Sequence, residues 1–299
     1  MIEIIKNPNI DFIGKRKYGF IFSAVIITIA LLLIFIKEPN FGIDFTGGTL
    51  LQIKFSNPVT TADLRNSLAQ IGEERSLIQS LGNEKKEYII RAAAEKPVEF
   101  AKAVKKILSA DFPDNKREIL REETVEPKIG KELLTRTLWS IFLALVLILG
   151  YVSFRFDYRF GIAAVIALFH DAIFTIGVLV LVQREFSIIV VGALLTIIGY
   201  SINDSIVISD RIREKFKKMR KEPYNVILNT GLNEVLPRTI LTSTTTLLAV
   251  LTLLIFGGSV IADFAFTLLI GFIIGTYSSI FILANIVSLW EEKFPKKKK

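Results

Sequence analysis

The sequence predicts an α-helical membrane protein with six transmembrane helices. An α+β domain of ferredoxin-like βαββαβ order lies between the first and second. Three observations carry this. Hydrophobic residues fill 51% of the 299 positions and mean hydropathy is +0.49, more apolar than soluble domains, which keep far more polar surface. Six stretches approach the roughly 20 mostly apolar residues of a spanning helix. Between the first two lie about 100 residues with 17 basic and 16 acidic side chains, a balance expected of a water-exposed domain.

The six stretches are residues 19–36, 138–154, 160–182, 187–209, 237–256 and 264–289. The first lacks the small-residue cleavage pattern of a signal peptide, and five more follow it. Lysine and arginine in short loops set the orientation. Lys15, Arg16 and Lys17 precede the first span, Arg155 and Arg159 lie between the second and third, and a basic loop (210–236) follows the fourth. The opposite short loops hold only Arg184. Both termini, 1–18 and the basic tail 290–299, are therefore expected in the cytoplasm, and 37–136 outside it. The run 296–299 is expected near anionic lipid headgroups. This bias accounts for much of the net charge of +8, so a nucleic-acid partner is not expected.

Within 37–136 the patterns read as strand 49–55, helix 60–71, strands 76–81 and 87–92, helix 98–110 and strand 116–125. In the second helix Val98, Ala101, Val104, Ile107 and Leu108 follow helical spacing. The order is the split βαβ arrangement. The chain has no cysteine and one histidine, which excludes disulfides, thiol catalysis and cysteine metal sites. No metal or other cofactor is expected.

Polar groups inside the spans are the candidate site, because burying them in hydrocarbon is costly. His170 and Asp171 lie near the middle of the third span, roughly 16 Å from either surface at 1.5 Å per residue. Asn203, Asp204 and Ser205 lie in the fourth, with Asp204 roughly 9 Å above the charged edge at Asp210. Ser201, Asp204 and Ile208 share a helix face. The fifth span opens with Pro237–Arg238 and a hydroxyl run in which Arg238, Thr242 and Thr245 share a face.

Desolvation favours a neutral carboxylic acid and a nearby guanidinium favours the carboxylate. An Asp204–Arg238 pair is thus a candidate proton-responsive switch. The same residues have plainer readings. Asp204 could form a structural ion pair, and Arg238 could snorkel to headgroups. His170 and Asp171 could relay protons or only hold neighbouring helices, and the hydroxyls could bond their own helix. Gly271 and Gly275 form a GxxxG pattern that suits close helix packing. Gly42, Asp44, Gly47 and Gly48 form a glycine-rich turn without the lysine of a phosphate-binding loop; a tight turn is expected, since glycine tolerates positive φ.

FGIDFTGGTLLQIKF (41–55) resembles the signature of the SecD/SecF family of protein-export membrane proteins, in the RND superfamily. HDAIFTIG (170–177), IGYSINDSIVISDRIRE (198–214) and PRTILTSTTTLL (237–248) resemble the third-, fourth- and fifth-span motifs of its SecF branch. The resemblance implies half of a twelve-span unit, with SecD supplying the other half. It also implies association with the SecYEG channel and YidC, membrane lipid around the spans, and use of the proton motive force on a translocating preprotein. Asp204, Arg238 and Thr242 match the positions implicated in proton transport. Two other readings stay open: half of an exporter for a lipid or small hydrophobic molecule, and a passive assembly subunit. The single domain of about 100 residues leaves little room for an exporter's ligand cavity. A conventional enzyme is not expected, for want of a nucleophile–base set.

Overall fold

The computed structural model describes residues 8–74, 76–82, 84–92 and 96–294. The expected headgroup-facing run 296–299 lies outside the described residues. Two compact units form, one of Phe41–Trp139 and the other of the remaining described residues.

After the two-residue strand β1 (Asn40–Phe41), a one-turn helix of the first unit, α2 (Ile43–Thr46), leads into β2 (Gly48–Phe55). There follow α3 (Thr61–Ala69), β3 (Leu77–Leu81), β4 (Glu87–Ala92), α4 (Pro97–Asp111) and β5 (Arg117–Val125). The strands form an antiparallel sheet in the order β3-β4-β2-β5, which is the ferredoxin-like arrangement. Leu51 opposes Ile90 and Ile53 opposes Tyr88, so alternate side chains gather on one face. There they meet Leu64 and Leu68 of α3 and Phe100, Val104 and Leu108 of α4. On each helix successive members are four residues apart, about one turn.

The expected stripe of α4 is kept at Ala101, Val104 and Leu108, with Ile107 partly buried, and differs only at its start. Val98 is exposed, and Phe100 is buried with Ala101. A Thr60–Asp63 capping box starts α3, each residue bonding the other's backbone N–H. Leu68 is fully buried, so Leu68→Ala should cost roughly 2–5 kcal/mol, read as lost hydrogen-exchange protection in this unit of the full chain.

The glycine-rich segment, where a tight turn was expected, contains the one-turn helix α2. Gly47 and Gly48 have φ of 74° and 127°, while Gly42 at −70° needs no glycine for that reason. A Cβ on Gly47 would sit 2.5 Å from Pro127 Cα, and one on Gly130 2.8 Å from the Phe45 carbonyl oxygen. The turn therefore packs directly on the start of α5 (Pro127–Arg155).

Among the described residues, six helices are long and apolar enough to cross a membrane: α1 (Arg16–Lys37), α5, α6 (Tyr158–Leu181), α7 (Ile188–Lys218), α8 (Tyr224–Phe256) and a sixth span. The sixth is built from α9 (Gly258–Ser278), a π-turn (Ser279–Leu283) and α10 (Ala284–Lys293). Three helices outrun the expected spans by about nine residues or more at one end. α5 begins at Pro127, α7 continues to Lys218 and α8 begins at Tyr224. The basic segment 210–236 is thus mostly helix, with only residues 219–223 between α7 and α8. Hydropathy marks where apolar residues stop, whereas backbone hydrogen bonding continues into polar sequence.

Residues 10–13, ahead of α1, are also held in place. Asn233 accepts from the Ile10 N–H at 2.8 Å and donates to its carbonyl at 2.8 Å, while Asn229 accepts from the Phe12 N–H at 2.9 Å. Phe12 and Ile13 are buried against α7, α8 and α10.

Candidate functional site

Helix packing decides which polar residues turn inward. Ser201, Asp204, Ser205 and Ile208 of α7 are all buried, so the expected shared face is the one directed into the bundle. Asn203 is exposed. A Cβ on Gly271 would sit 2.1 Å from Ile197 Cδ1, and one on Gly275 3.3 Å from Ser201 Cβ. The GxxxG pattern therefore does bring α9 onto α7, beside this polar stripe.

The expected Asp204–Arg238 pair is not formed. Arg238, Thr242 and Thr245 share a face of α8, but that face is exposed, while Thr239 and Ser243 point inward. Pro237 lies inside α8, so Arg238 does not start a helix as expected. Asp204 Oδ2 has no hydrogen-bond partner among the described residues. The Thr242 hydroxyl bonds the Arg238 carbonyl at 3.0 Å, and Thr245 bonds Leu241 and Thr242. These hydroxyls satisfy their own helix, as one of the plainer readings holds.

A second cluster forms around Asp171, which is 1% exposed. Its Oδ2 accepts from Ser201 Oγ at 2.7 Å and Ser278 Oγ at 2.8 Å, joining α6, α7 and α9. Oδ1 lies 3.1 Å from His170 Nδ1. Ser279 Oγ donates to the Gly275 carbonyl at 2.9 Å and lies 3.5 Å from Ser205 Oγ. His170 rests beside the Tyr277 ring, whose hydroxyl donates to the Gly19 carbonyl of α1 at 2.8 Å. Ser278, Ser279 and Tyr277 escaped the sequence reading. Their signal is the run Tyr277–Ser278–Ser279 within an otherwise apolar span.

Among the described residues, the arginine and lysine ion pairs of this bundle sit towards its ends. Arg16 forks onto Glu292 with two bonds of 2.7 Å, Arg159 pairs with Glu291, and Arg184 meets Asp263 at 2.8 Å. Glu234 of α8 binds Arg211 and Lys215 of α7. Among the described residues no three histidine or acidic side chains converge as a metal site would require.

Two carboxyls enclosed between membrane helices, Asp171 and Asp204, with ion pairs kept towards the ends, define a polytopic membrane protein with ionisable groups inside its bundle. Comparison with known proteins makes this specific. The SecD/SecF C-terminal model, of protein export membrane proteins, matches residues 104–293, and the SecD/SecF GG motif matches 32–59. The chain belongs to the SecD/SecF family of protein-export membrane proteins.

Among its relatives, a protein translocase subunit SecF of Calditerrivibrio nitroreducens is 45% identical, with 96% of each chain covered. The SecF of Pseudomonas aeruginosa is 41% identical, covering 96% of this chain and 92% of the relative. The crystal structure of SecDF, a translocon-associated membrane protein from Thermus thermophilus, is similar at a TM-score of 0.86 and 38% identity. It covers 96% of this chain, which spans only 39% of the SecDF chain.

Proposed function

We propose that this chain is the SecF-type half of a SecD–SecF assembly that uses the proton motive force to help preproteins through the SecYEG channel, with YidC as a further neighbour. Asp204 carries the reading. It is buried between helices with an oxygen lacking a hydrogen-bond partner, a place where a proton or another cation could bind. Unused ionisable groups inside a membrane are rare, and function is the default expectation for them.

The partner supplies the missing half. The exposed stripe Arg238–Thr242–Thr245 on α8 is polar surface directed out of the bundle, and a SecD-type subunit covering it would give Arg238 a polar neighbour. That the Thermus relative is a single fused SecDF chain supports this partnership. In this reading the termini are cytoplasmic, residues 37–136 are outside, and lipid surrounds the remaining spans. The role is transport, and the energy comes from an ion gradient. A potential of 100 mV supplies about 2.3 kcal/mol per elementary charge, enough for a few protons per cycle to bias chain movement.

The test is ion flux in proteoliposomes holding this chain with its SecD. Flux under an imposed pH gradient, with none under a sodium gradient, is the expected result. Flux driven only by sodium would replace the coupling ion. No flux under either gradient would leave an assembly role.

A further inference from the structure

Asp171 and His170 have no part in the cycle described so far, although they lie deeper in the bundle than its surface pairs. We propose that Asp171, with His170 beside it, is a second proton-binding station, clamped by the Ser201 and Ser278 hydroxyls at the head of the π-turn. The proposal rests on the proton-driven reading above and adds a site to it.

The geometry is specific. Oδ2 receives two hydroxyl hydrogens, from α7 at 2.7 Å and from α9 at 2.8 Å. An ionised carboxylate accepts both, whereas a protonated carboxyl carries a donor of its own. With a proton on Oδ2, one hydroxyl must turn from donor to acceptor. Ser278 has an alternative ready, because its hydroxyl also lies 3.1 Å from the Gly275 carbonyl of its own helix. The π-turn Ser279–Leu283 begins at the next residue, and such turns occur often at functional sites. Proton uptake at Asp171 would thus change the tie between α6 and the sixth span where that span is least regular.

The close packing around Oδ2 favours a proton over a metal cation. The hydroxyls touch the carboxylate directly, and a Cβ on Gly275 would sit 3.5 Å from Oδ2, so no ion-sized gap separates the oxygens. His170 Nε2 is buried with no hydrogen-bond partner among the described residues. With Nδ1 held by the carboxylate, Nε2 is the nitrogen left to take a proton.

The titratable groups around Asp171 are few. His170 is on its own helix, and Tyr277 comes from α9. Asp204 of α7 follows Ser201 by one turn. The arginines of α6 and its following loop, Arg159 and Arg184, are held by Glu291 and Asp263.

The test is pH-dependent infrared difference spectroscopy on the full chain with its SecD in lipid vesicles. The expected result is a protonated-carboxyl band that persists in Asp204→Asn and disappears in Asp171→Asn. Ser278→Ala should keep that band but move its C=O stretch to higher frequency, through loss of a hydrogen bond. This second variant retains the test should Asp171→Asn fail to fold. A spectrum of Asp171→Asn superimposable on the parent, or an unmoved band in Ser278→Ala, overturns the station. Flux in the same vesicles keeps the two ideas apart. Parent flux without an Asp171 band sinks the station alone, and an Asp171 band without parent flux sinks the proton-driven cycle while the station stands.

Discussion

Asparagine in place of Asp204 is expected to leave the chain folded and assembled with its partner while proton flux falls by roughly a hundredfold, in the lower range for loss of a proton-transferring side chain. Asparagine keeps the volume and cannot ionise. The structure separates this outcome from a structural role. Breaking a buried ion pair costs about 3–5 kcal/mol, but no ion pair joins Asp204 to Arg238, and Asp204 Oδ2 has no partner to lose. Thermal unfolding of the purified complex should therefore be nearly unchanged while flux in proteoliposomes collapses. Flux at the parent level, or a lower unfolding midpoint accompanying any loss, would remove Asp204 from the proton path.

Gly47→Ala is expected to cost more stability than any other single-methyl change in the glycine-rich turn, at least about 3 kcal/mol from backbone strain and overpacking together. Gly47 has φ 74° and ψ 166°, a region essentially reserved for glycine. Its added methyl would also meet Pro127 Cα at 2.5 Å and Pro127 N at 2.7 Å. Backbone cannot swing aside as the end of a side chain can. Gly72 is the control: its φ is 76°, yet a Cβ there meets nothing within 4 Å. Gly72→Ala carries the conformational cost alone, on the order of 1 kcal/mol. Chemical denaturation of the full chain in detergent compares the two, and equal losses would show that contact with Pro127 contributes nothing.

Periodicity made the first unit legible. Leu51, Ile53 and Phe55 alternate along a strand, and Leu64 and Leu68 recur at one helical turn, so element order and core face could be read together. Periodicity also placed Arg238, Thr242 and Thr245 on one face, but not the direction of that face. Both stripes of α8 carry hydroxyls, and only packing turns Thr239 and Ser243 inward. The Asp204–Arg238 pairing failed for that reason. Other features depend on partners far along the chain. The hold of Asn229 and Asn233 on Ile10 and Phe12 spans more than 200 residues, and nothing local announces it. The π-turn is a one-residue departure from helical spacing, too small to register in an apolar segment that reads the same either way.

The short connection between α7 and α8 has a mechanical consequence. Residues 219–223 offer little slack, and Glu234 ties the two helices together through Arg211 and Lys215. From Asp204 the backbone runs helically to Lys218, about 21 Å at 1.5 Å per residue. The pair is therefore a stiff lever with its tip beyond the apolar stretch, and a small tilt at the carboxyl becomes a larger sweep at that tip. A crosslink fixing the tip would restrict tilt at the carboxyl without touching it.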